Sequence, residues 1–237
     1  MTDPIRRVEL YDDGIGFVEL VDYLGNDLSV VNSARVSFGK HKEELDEKDE
    51  RLIKYLIKHK HTSTLEHCVA TFRFKVPLFI SKQHMRHRTW SYNEISRRYT
   101  DFNLEFYEPD EFRTQHESNR QASNSSDLIN PTLTITRWDG VVLQDTASQL
   151  VHAHHVKSLD LYNDLVDAGV CREQARGVLP QNMYTEYYGT CNFNNLIKFI
   201  GLRLHDGAQW EIQQVAKACL EIAKSIWPIT TSAYLIS

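Results

Sequence analysis

Alternation of apolar and polar residues marks one segment of the chain as a β-strand. In CVATFRFKV, residues 68–76, every second side chain is apolar, which predicts a strand with one covered face. The apolar positions are Ala70, Phe72, Phe74 and Val76. Pro77 follows and is suited to the first position of a helix, so residues 78–88 are predicted to be helical. In that helix Gln83 and Arg86 would lie on one face.

Other segments carry the helical period or strand-and-turn patterns. Residues 43–60 predict an amphipathic helix, with acidic residues in its first turns and lysines in its last. Residues 146–169 predict a second helix that stops at Gly169. Residues 17–40 predict a strand, a turn at 25–27 and a short helix. The stretch 171–227 predicts one aromatic strand and two helices.

The amino-acid composition changes between residues 113 and 144, here called the polar segment. Its composition is dominated by Ser, Asn, Thr and Gln, which predicts an inserted surface loop with a short hairpin near Thr132–Val142. No internal repeat or domain boundary is evident on either side of it. We therefore expect a single domain over residues 1–237.

Composition and charge narrow the class of protein. The 237 residues are 41% hydrophobic and 25% charged, which is typical of a globular chain able to bury a core. A net charge of −5 argues against a protein that coats nucleic acid by bulk charge. The four cysteines are scattered, as expected of reduced thiols, and no signal peptide or apolar run of 18 residues is visible. These features predict a soluble cytoplasmic protein.

Two common kinds of ligand site are not supported by the motifs. Histidines cluster at residues 59–67 and 152–155, but neither cluster has the HExxH spacing, so no metal site is predicted. The GIGFVE stretch at Gly14 lacks the third glycine of a dinucleotide loop, and no GxxxxGK[ST] motif occurs.

Charged and hydrogen-bonding side chains are concentrated in QHMRHRTWSYNEISRRY, residues 83–99, which contains four arginines and two histidines. Guanidinium groups bind phosphate and carbonyl oxygens, and the interleaved aromatic residues suit planar rings. A solvated basic surface and a nucleic-acid site are the alternatives. The net negative charge of the chain favours a small nucleotide over nucleic acid as the ligand. The residues alone do not identify a reaction.

The order of these residues adds a family resemblance. RHRTWSYNEIS, residues 86–96, resembles the RHR-x7-S signature of flavin-dependent thymidylate synthases. Further matches are ARVSFG at 34–39, HTSTLEH at 61–67, ARGVLP at 175–180 and LRLHDGAQWEIQQ at 202–214. The resemblance covers nearly the whole chain outside the polar segment.

The resemblance implies the reductive methylation of dUMP to dTMP. It implies 5,10-methylenetetrahydrofolate as carbon donor, FAD as cofactor and NADPH as reductant, with preference over NADH left open. It also implies an α/β (α+β type) fold, a small, mostly antiparallel sheet flanked by long helices. Such enzymes are homotetramers with active sites at subunit interfaces, and they use no cysteine nucleophile. Neither nucleic acid nor a membrane is an implied partner.

Site residues follow from the same resemblance. It assigns dUMP binding to Gln83, Arg86, Glu94, Ser96, Arg97 (by backbone), Arg98, Arg176 and Arg203. It assigns FAD binding to His61, Ser63, Arg86, His87, Arg88, Glu94, Asn192, Asn194 and Lys198. The resemblance also implies that Arg203 is the catalytic residue, because a positive charge beside the uracil ring would activate C5 as a nucleophile.

This sequence departs from the family pattern at three positions. Asn194 stands where arginine is common, Lys198 where asparagine is common, and Gly207 where a histidine often precedes AQW. These departures concern individual cofactor contacts. A non-catalytic RNA- or nucleotide-binding protein of the same fold is the alternative function, and bound flavin after purification would discriminate between the two.

Overall fold

The computed structural model describes residues 3–101, 104–120, 122–136 and 139–236. The strands are β1 (Arg7–Glu9), β2 (Phe17–Leu24), β3 (Val69–Pro77), β4 (Ser91–Glu94), β5 (Phe112–Gln115), β6 (Ser123–Ile129), β7 (Thr132–Thr136), β8 (Val142–Thr146) and β9 (Tyr184–Asn192). The α-helices are α1 (Asp27–Arg35), α2 (Glu47–Lys58), α3 (Leu78–His84), α4 (Ala147–Asp167), α5 (Arg172–Ala175), α6 (Phe193–Arg203), α7 (Trp210–Ile226) and α8 (Pro228–Ile236).

An antiparallel sheet with the strand order β1-β2-β3-β9-β4 forms the centre of the fold. The alternation predicted for β3 is confirmed, since its four apolar side chains are fully buried and the residues between them are half-buried. The buried face belongs to one core that includes Leu196 and Phe199 of α6 and Val215 and Ile222 of α7. Helices on a mostly antiparallel sheet are the fold class that the resemblance implies.

The strand, turn and helices predicted from periodicity are also present. Asn26 caps α1, with its side chain accepting from the Ser29 amide and the Ser29 hydroxyl accepting from the Asn26 amide. Asp46 caps α2 in the same way with Asp49. Asp49 is fully buried and pairs with Arg35 and Lys42, so α2 is tied to the end of α1. Gly169 has a φ of +90° and follows the end of α4, as expected of a stop signal.

The predicted helix over residues 78–88 is wrong in its second half. Helix α3 ends at His84, and Arg86 lies in the turn that follows, so Arg86 does not share a helical face with Gln83. The Tyr92 hydroxyl donates to the carbonyl of His84 at 2.9 Å and to that of His87 at 3.3 Å. These bonds connect the turn to β4, and the His84 carbonyl, which a helix continuing to residue 88 would use, accepts from the Tyr92 hydroxyl and the His87 amide.

The polar segment is not a loop with one hairpin. The hairpin predicted near Thr132–Val142 is confirmed as β7 paired with β8, but β5 and β6 form another hairpin that the composition did not indicate. Side chains hold the β5–β6 pair together, since the Thr114 hydroxyl donates to Asp127 at 2.7 Å. Every residue of β6 is exposed, so the strand has no apolar alternation to reveal it.

In the part of the chain that the structure describes, we find no helix with the length and apolar character that crossing a bilayer requires.

Gly189 of β9 packs tightly against two aromatic rings, one from β3 and one from the arginine signature. A Cβ atom added there would meet the Phe74 ring at 2.9 Å and the Trp90 ring at 3.3 Å, both of them buried. We therefore expect Gly189→Ala to lower the free energy of unfolding by about 1–3 kcal/mol, the usual cost of overpacking a core. Urea denaturation followed by circular dichroism measures it.

Gly177→Ala is the matched control, because a Cβ at Gly177 meets nothing within 4 Å and its φ is not positive. Its free energy of unfolding should stay within about 0.5 kcal/mol of the parent. Equal stability of the two variants would contradict the packing described at Gly189.

Candidate active site

The side chain of Arg203, the last residue of α6, connects two of the predicted site residues. Its Nε donates to Nε2 of His87 at 3.1 Å, and one terminal nitrogen donates to the backbone carbonyl of Gln83 at 3.1 Å. Arg203 is half-buried, and burial lowers its pKa from the ordinary value. The structure thus brings together the predicted catalytic arginine, a predicted dUMP residue and a predicted FAD residue.

The charge state of His87 follows from this contact. Burial of the ring, followed by the nearby charge of Arg203, lowers the pKa of His87 to about 4. The imidazole is therefore neutral at pH 7, and its Nε2 lone pair is available to accept from Arg203. The ring also stands edge-on to Phe199 of α6, with centroids 5.0 Å apart. Packing and hydrogen bonding together set the direction of the Arg203 side chain.

Gln83 meets a residue that the sequence reasoning did not single out. Its side-chain nitrogen donates to the side-chain oxygen of Gln209 at 2.5 Å. Gln209 is the N-cap residue of α7 and the glutamine of the AQW motif. Its position in that motif is the sequence feature that could have identified it as a site residue. Tyr92 is one of the interleaved aromatic residues that the sequence predicts to suit planar rings, and its hydroxyl holds the turn around Arg86 as described above.

Glu94 and the residues after it form the next part of the site. The Glu94 carboxylate is exposed and accepts from the Thr185 hydroxyl at 2.8 Å. Ser96 lies in a turn, where its hydroxyl accepts from the Arg98 amide at 3.3 Å. Arg97 is buried, and burial lowers its pKa, which suits the expected contact through its backbone.

The remaining arginines present positive charge at the surface. Arg98 pairs with Glu173 at 3.0 Å, and both side chains are about half exposed, so the pair is weak. Within the described ranges, Arg86, Arg88 and Arg176 form no salt bridge, and all three are exposed. An incoming phosphate would therefore meet guanidinium groups that no carboxylate of the described chain neutralises.

A second group of predicted residues lies at the other end of α6. His61 and Ser63 line a 560 Å³ cavity together with Arg35, Phe38 and Tyr55. An arginine, hydroxyl groups and exposed aromatic rings suit a phosphate-bearing adenine nucleotide, so this donor set fits one end of FAD.

Three further FAD candidates lie at the start of α6 or on it. Asn192 caps the helix by accepting from the Asn195 amide at 3.0 Å. Asn194 is buried and donates to Glu66 at 2.9 Å, whereas Lys198 is exposed. A helix rises about 1.5 Å per residue, so the capped end and Arg203 lie roughly 16 Å apart. One chain does not place all the predicted FAD residues in one pocket.

Comparison with known proteins identifies the family. A family model described as thymidylate synthase complementing protein matches residues 19–229. A flavin-dependent thymidylate synthase of Thermus thermophilus is 42% identical over 219 residues, covering 92% of this chain and 75% of that protein. One from Thermosipho melanesiensis is 41% identical over 220 residues, covering 93% of this chain and 90% of that protein.

Solved structures agree with the sequence relatives. A UMP/dUMP methylase, PolB from Streptomyces cacaoi, bound with 5-Br dUMP, has a TM-score of 0.76 at 31% identity and covers 97% of both chains. The same methylase bound with 5-Br UMP has a TM-score of 0.75 at 32% identity, covering 97% of this chain and 96% of that one. The chain belongs to the thymidylate synthase complementing family. Its resemblance to flavin-dependent thymidylate synthases is confirmed.

Acidification should protonate His87 only near pH 4, where the ring loses the lone pair that accepts from Arg203. The folded-state pKa lies below the ordinary value of about 6.5, so between these pH values the unfolded chain binds more protons. The contribution of His87 to stability therefore falls as the pH drops from about 6.5 to about 4. NMR titration of ¹³C-labelled histidines measures the pKa directly.

The variant His87→Gln lacks the His87 signal, so comparing its spectrum with that of the parent assigns that signal. The amide oxygen of the new glutamine side chain can still accept a hydrogen bond from Arg203. A His87 midpoint near 6.5 would contradict the burial of this ring beside the charge of Arg203.

Proposed function

We propose that this protein makes dTMP from dUMP, with 5,10-methylenetetrahydrofolate as carbon donor and FAD reduced by NADPH. The observation that carries the proposal is the placement of Arg203, whose guanidinium is held by the Gln83 carbonyl and neutral His87. The named relatives and the dUMP-analogue complexes of PolB support this choice of substrate.

Arg203 is suited to activate the uracil ring. A guanidinium has five N–H donors, and two of those on Arg203 are engaged by Gln83 and His87. Donors left toward the ligand would stabilise negative charge on the uracil oxygen O4 or on deprotonated N3. That charge raises electron density at C5, the carbon that attacks the methylene group.

The exposed arginines are suited to hold the nucleotide's phosphate. Arg86 and Arg176 carry uncompensated charge, and Arg98 has only a weak surface pair to give up. The Glu94 carboxylate is exposed as well and can accept a hydrogen bond from the sugar or the ring. The same surface distinguishes a mononucleotide from a neutral nucleoside, because charge-assisted bonds depend on the phosphate.

FAD would be held from both ends of α6. His61, Ser63 and Asn192 are suited to its nucleotide end, and His87 and Arg88 to its ring. When bound, the flavin supplies the redox equivalents of the reaction. The helix spans roughly 16 Å, so an extended dinucleotide could reach from one group of residues to the other. As the family resemblance implies, the protein would act as a cytoplasmic homotetramer with its active sites at subunit interfaces.

The cysteines support a route without a thiol nucleophile. Burial raises the pKa of Cys68 to about 12, and it also raises the pKa of Cys191 and of Cys219 above the ordinary value of a thiol. A nucleophilic cysteine needs a thiolate, which these buried groups do not provide near neutral pH. Cys171 is exposed but precedes α5, outside the arginine signature.

Arg203→Ala should reduce dTMP formation by at least about 100-fold, because it removes the charge that stabilises the activated ring. The variant should retain flavin, since the FAD contacts assigned above belong to other residues. The assay supplies dUMP, methylenetetrahydrofolate, NADPH and FAD, and measures dTMP by chromatography and flavin by absorbance.

Arg51→Ala is the control, because Arg51 is an exposed arginine of α2 outside the site. Normal turnover by Arg203→Ala would refute the activating role. A parent protein that binds no flavin and forms no dTMP would refute the proposed function and favour a binding protein of the same fold.

A further inference from the structure

Two histidine rings line a cavity of 450 Å³ between the β5–β6 hairpin and the loop that follows α6. His116 comes directly after β5, and His205 comes two residues after Arg203, the end of α6. Arg203 itself lines the neighbouring cavity and not this one. The space between the histidines is therefore separate from the position proposed for the uracil ring.

The hairpin wall of this cavity is a fixed part of the structure. Arg113 donates through one terminal nitrogen to the Glu211 carboxylate at 2.6 Å and through Nε to the Ser123 hydroxyl at 3.0 Å. Glu211 is only 3% exposed, so separating the pair would leave a buried charge. The bond to Ser123 connects this buried pair to a residue that lines the cavity.

Backbone contacts determine which nitrogen of each ring carries the hydrogen. Nδ1 of His116 accepts from the Ser118 amide at 3.3 Å and from the Asn119 amide at 3.2 Å, and Nδ1 of His205 accepts from the Gly207 amide at 3.0 Å. A backbone N–H can only donate, so each Nδ1 holds a lone pair and each neutral ring has its hydrogen on Nε2. No acceptor in the described part of the chain receives either Nε2–H group.

The position of the His205 ring depends on the glycine that follows it. A Cβ atom at Gly207 would lie 3.3 Å from Nδ1 and 3.5 Å from Cε1 of His205. Where the family often has a histidine before AQW, this chain has glycine, and it carries an imidazole two residues earlier instead. The arrangement is therefore a feature of this sequence.

Two hairpin residues that line the cavity show the same division between acceptor and donor. The Ser123 oxygen accepts from Nε of Arg113 at 3.0 Å, and Oδ1 of Asn124 accepts from the Ser126 hydroxyl at 3.1 Å. Among the described residues, none accepts from the Ser123 hydroxyl or from the Asn124 side-chain nitrogen. In all four side chains the protein uses the acceptor and leaves a donor, which suits a ligand group that only accepts hydrogen bonds.

The charge of the walls selects among such groups. All four donors are neutral, and none of the described residues that line the cavity is an arginine or a lysine. Asp206 adds one negative charge to the lining. A phosphate dianion is usually bound by Arg or Lys. A carboxylate carries one charge and has two acceptor oxygens with about four lone-pair sites, so it matches these walls better.

We propose that this cavity, here called the two-histidine site, binds a carboxylate of the glutamate tail of methylenetetrahydrofolate. This inference rests on the proposed function. A folate whose pterin ring reacts near Arg203 can extend its tail into the adjoining cavity, because His205 is only two residues away. The 2′-phosphate of NADPH is the other oxyanion among the proposed substrates, and the test must separate it.

The tail contribution is measured by comparing two ligands on the same protein. Calorimetry on the FAD-loaded, oxidised, dUMP-bound enzyme, kept anaerobic, would give Kd values for tetrahydrofolate and for 6-methyltetrahydropterin, which has no tail. His205→Ala and His116→Ala should each raise the Kd for tetrahydrofolate about tenfold, the loss expected for one hydrogen bond to a charged group. The Kd for 6-methyltetrahydropterin should stay unchanged.

Asp206→Asn should act in the opposite direction. Removing a like charge from the lining should lower the Kd for tetrahydrofolate about threefold and leave that of 6-methyltetrahydropterin unchanged. A misfolded variant would not bind more tightly, so this result separates a direct effect from damage to the fold. Thr134→Ala, an exposed position in β7 of the second hairpin, is the matched control and should behave as the parent.

Equal changes for the two pterins, or no change for either, would overturn the proposal. A KM that rises for NADPH but not for NADH, with folate binding unchanged, would also overturn it and would assign the two-histidine site to the 2′-phosphate. Failure of the proposed function looks different, since the parent would then form no dTMP.

Discussion

The site depends on a cation held by two neutral acceptors. Arg203 donates to the Gln83 carbonyl and to the His87 ring, and neither partner carries a charge that would cancel that of the guanidinium. A carboxylate partner would have fixed the same geometry while weakening the field at the substrate. The neutral state of His87 is maintained by burial against α6, the same helix that ends at Arg203. One packing contact thereby sets both the direction and the electrostatics of the site.

The rest of the fold positions the two ends of this contact. The signature turn is fixed by bonds from the Tyr92 hydroxyl, and Tyr92 pairs with Gly189 between β4 and β9. Strand β9 continues directly into α6, so the sheet that carries the turn also sets the start of the helix that carries Arg203. Gln209 at the start of α7 completes the frame through its bond to Gln83.

Sequence patterns predicted the elements whose stability is local. The apolar alternation of β3 and the capped, amphipathic α2 were predictable, since periodicity and caps act over a few residues. The end of α3 was not, because the His84 carbonyl there accepts from the Tyr92 hydroxyl of β4, a contact that helical periodicity does not encode. The β5–β6 hairpin was also missed, since Arg113 bonds Glu211 98 residues further along the chain. The resemblance selected Arg203 and His87 as site residues, but their contact spans 116 residues and only the fold shows it.

The most direct test of the proposed reaction follows an isotope-labelled carbon from methylenetetrahydrofolate into the nucleotide. The protein, reconstituted with FAD and kept anaerobic, would be incubated with dUMP, NADPH and methylenetetrahydrofolate carrying ¹³C in its methylene group, and the nucleotides analysed by mass spectrometry. The proposed reaction would give dTMP with one ¹³C in its methyl group, formed in step with NADPH oxidation. Unchanged dUMP recovered from a protein that binds both flavin and nucleotide would contradict it.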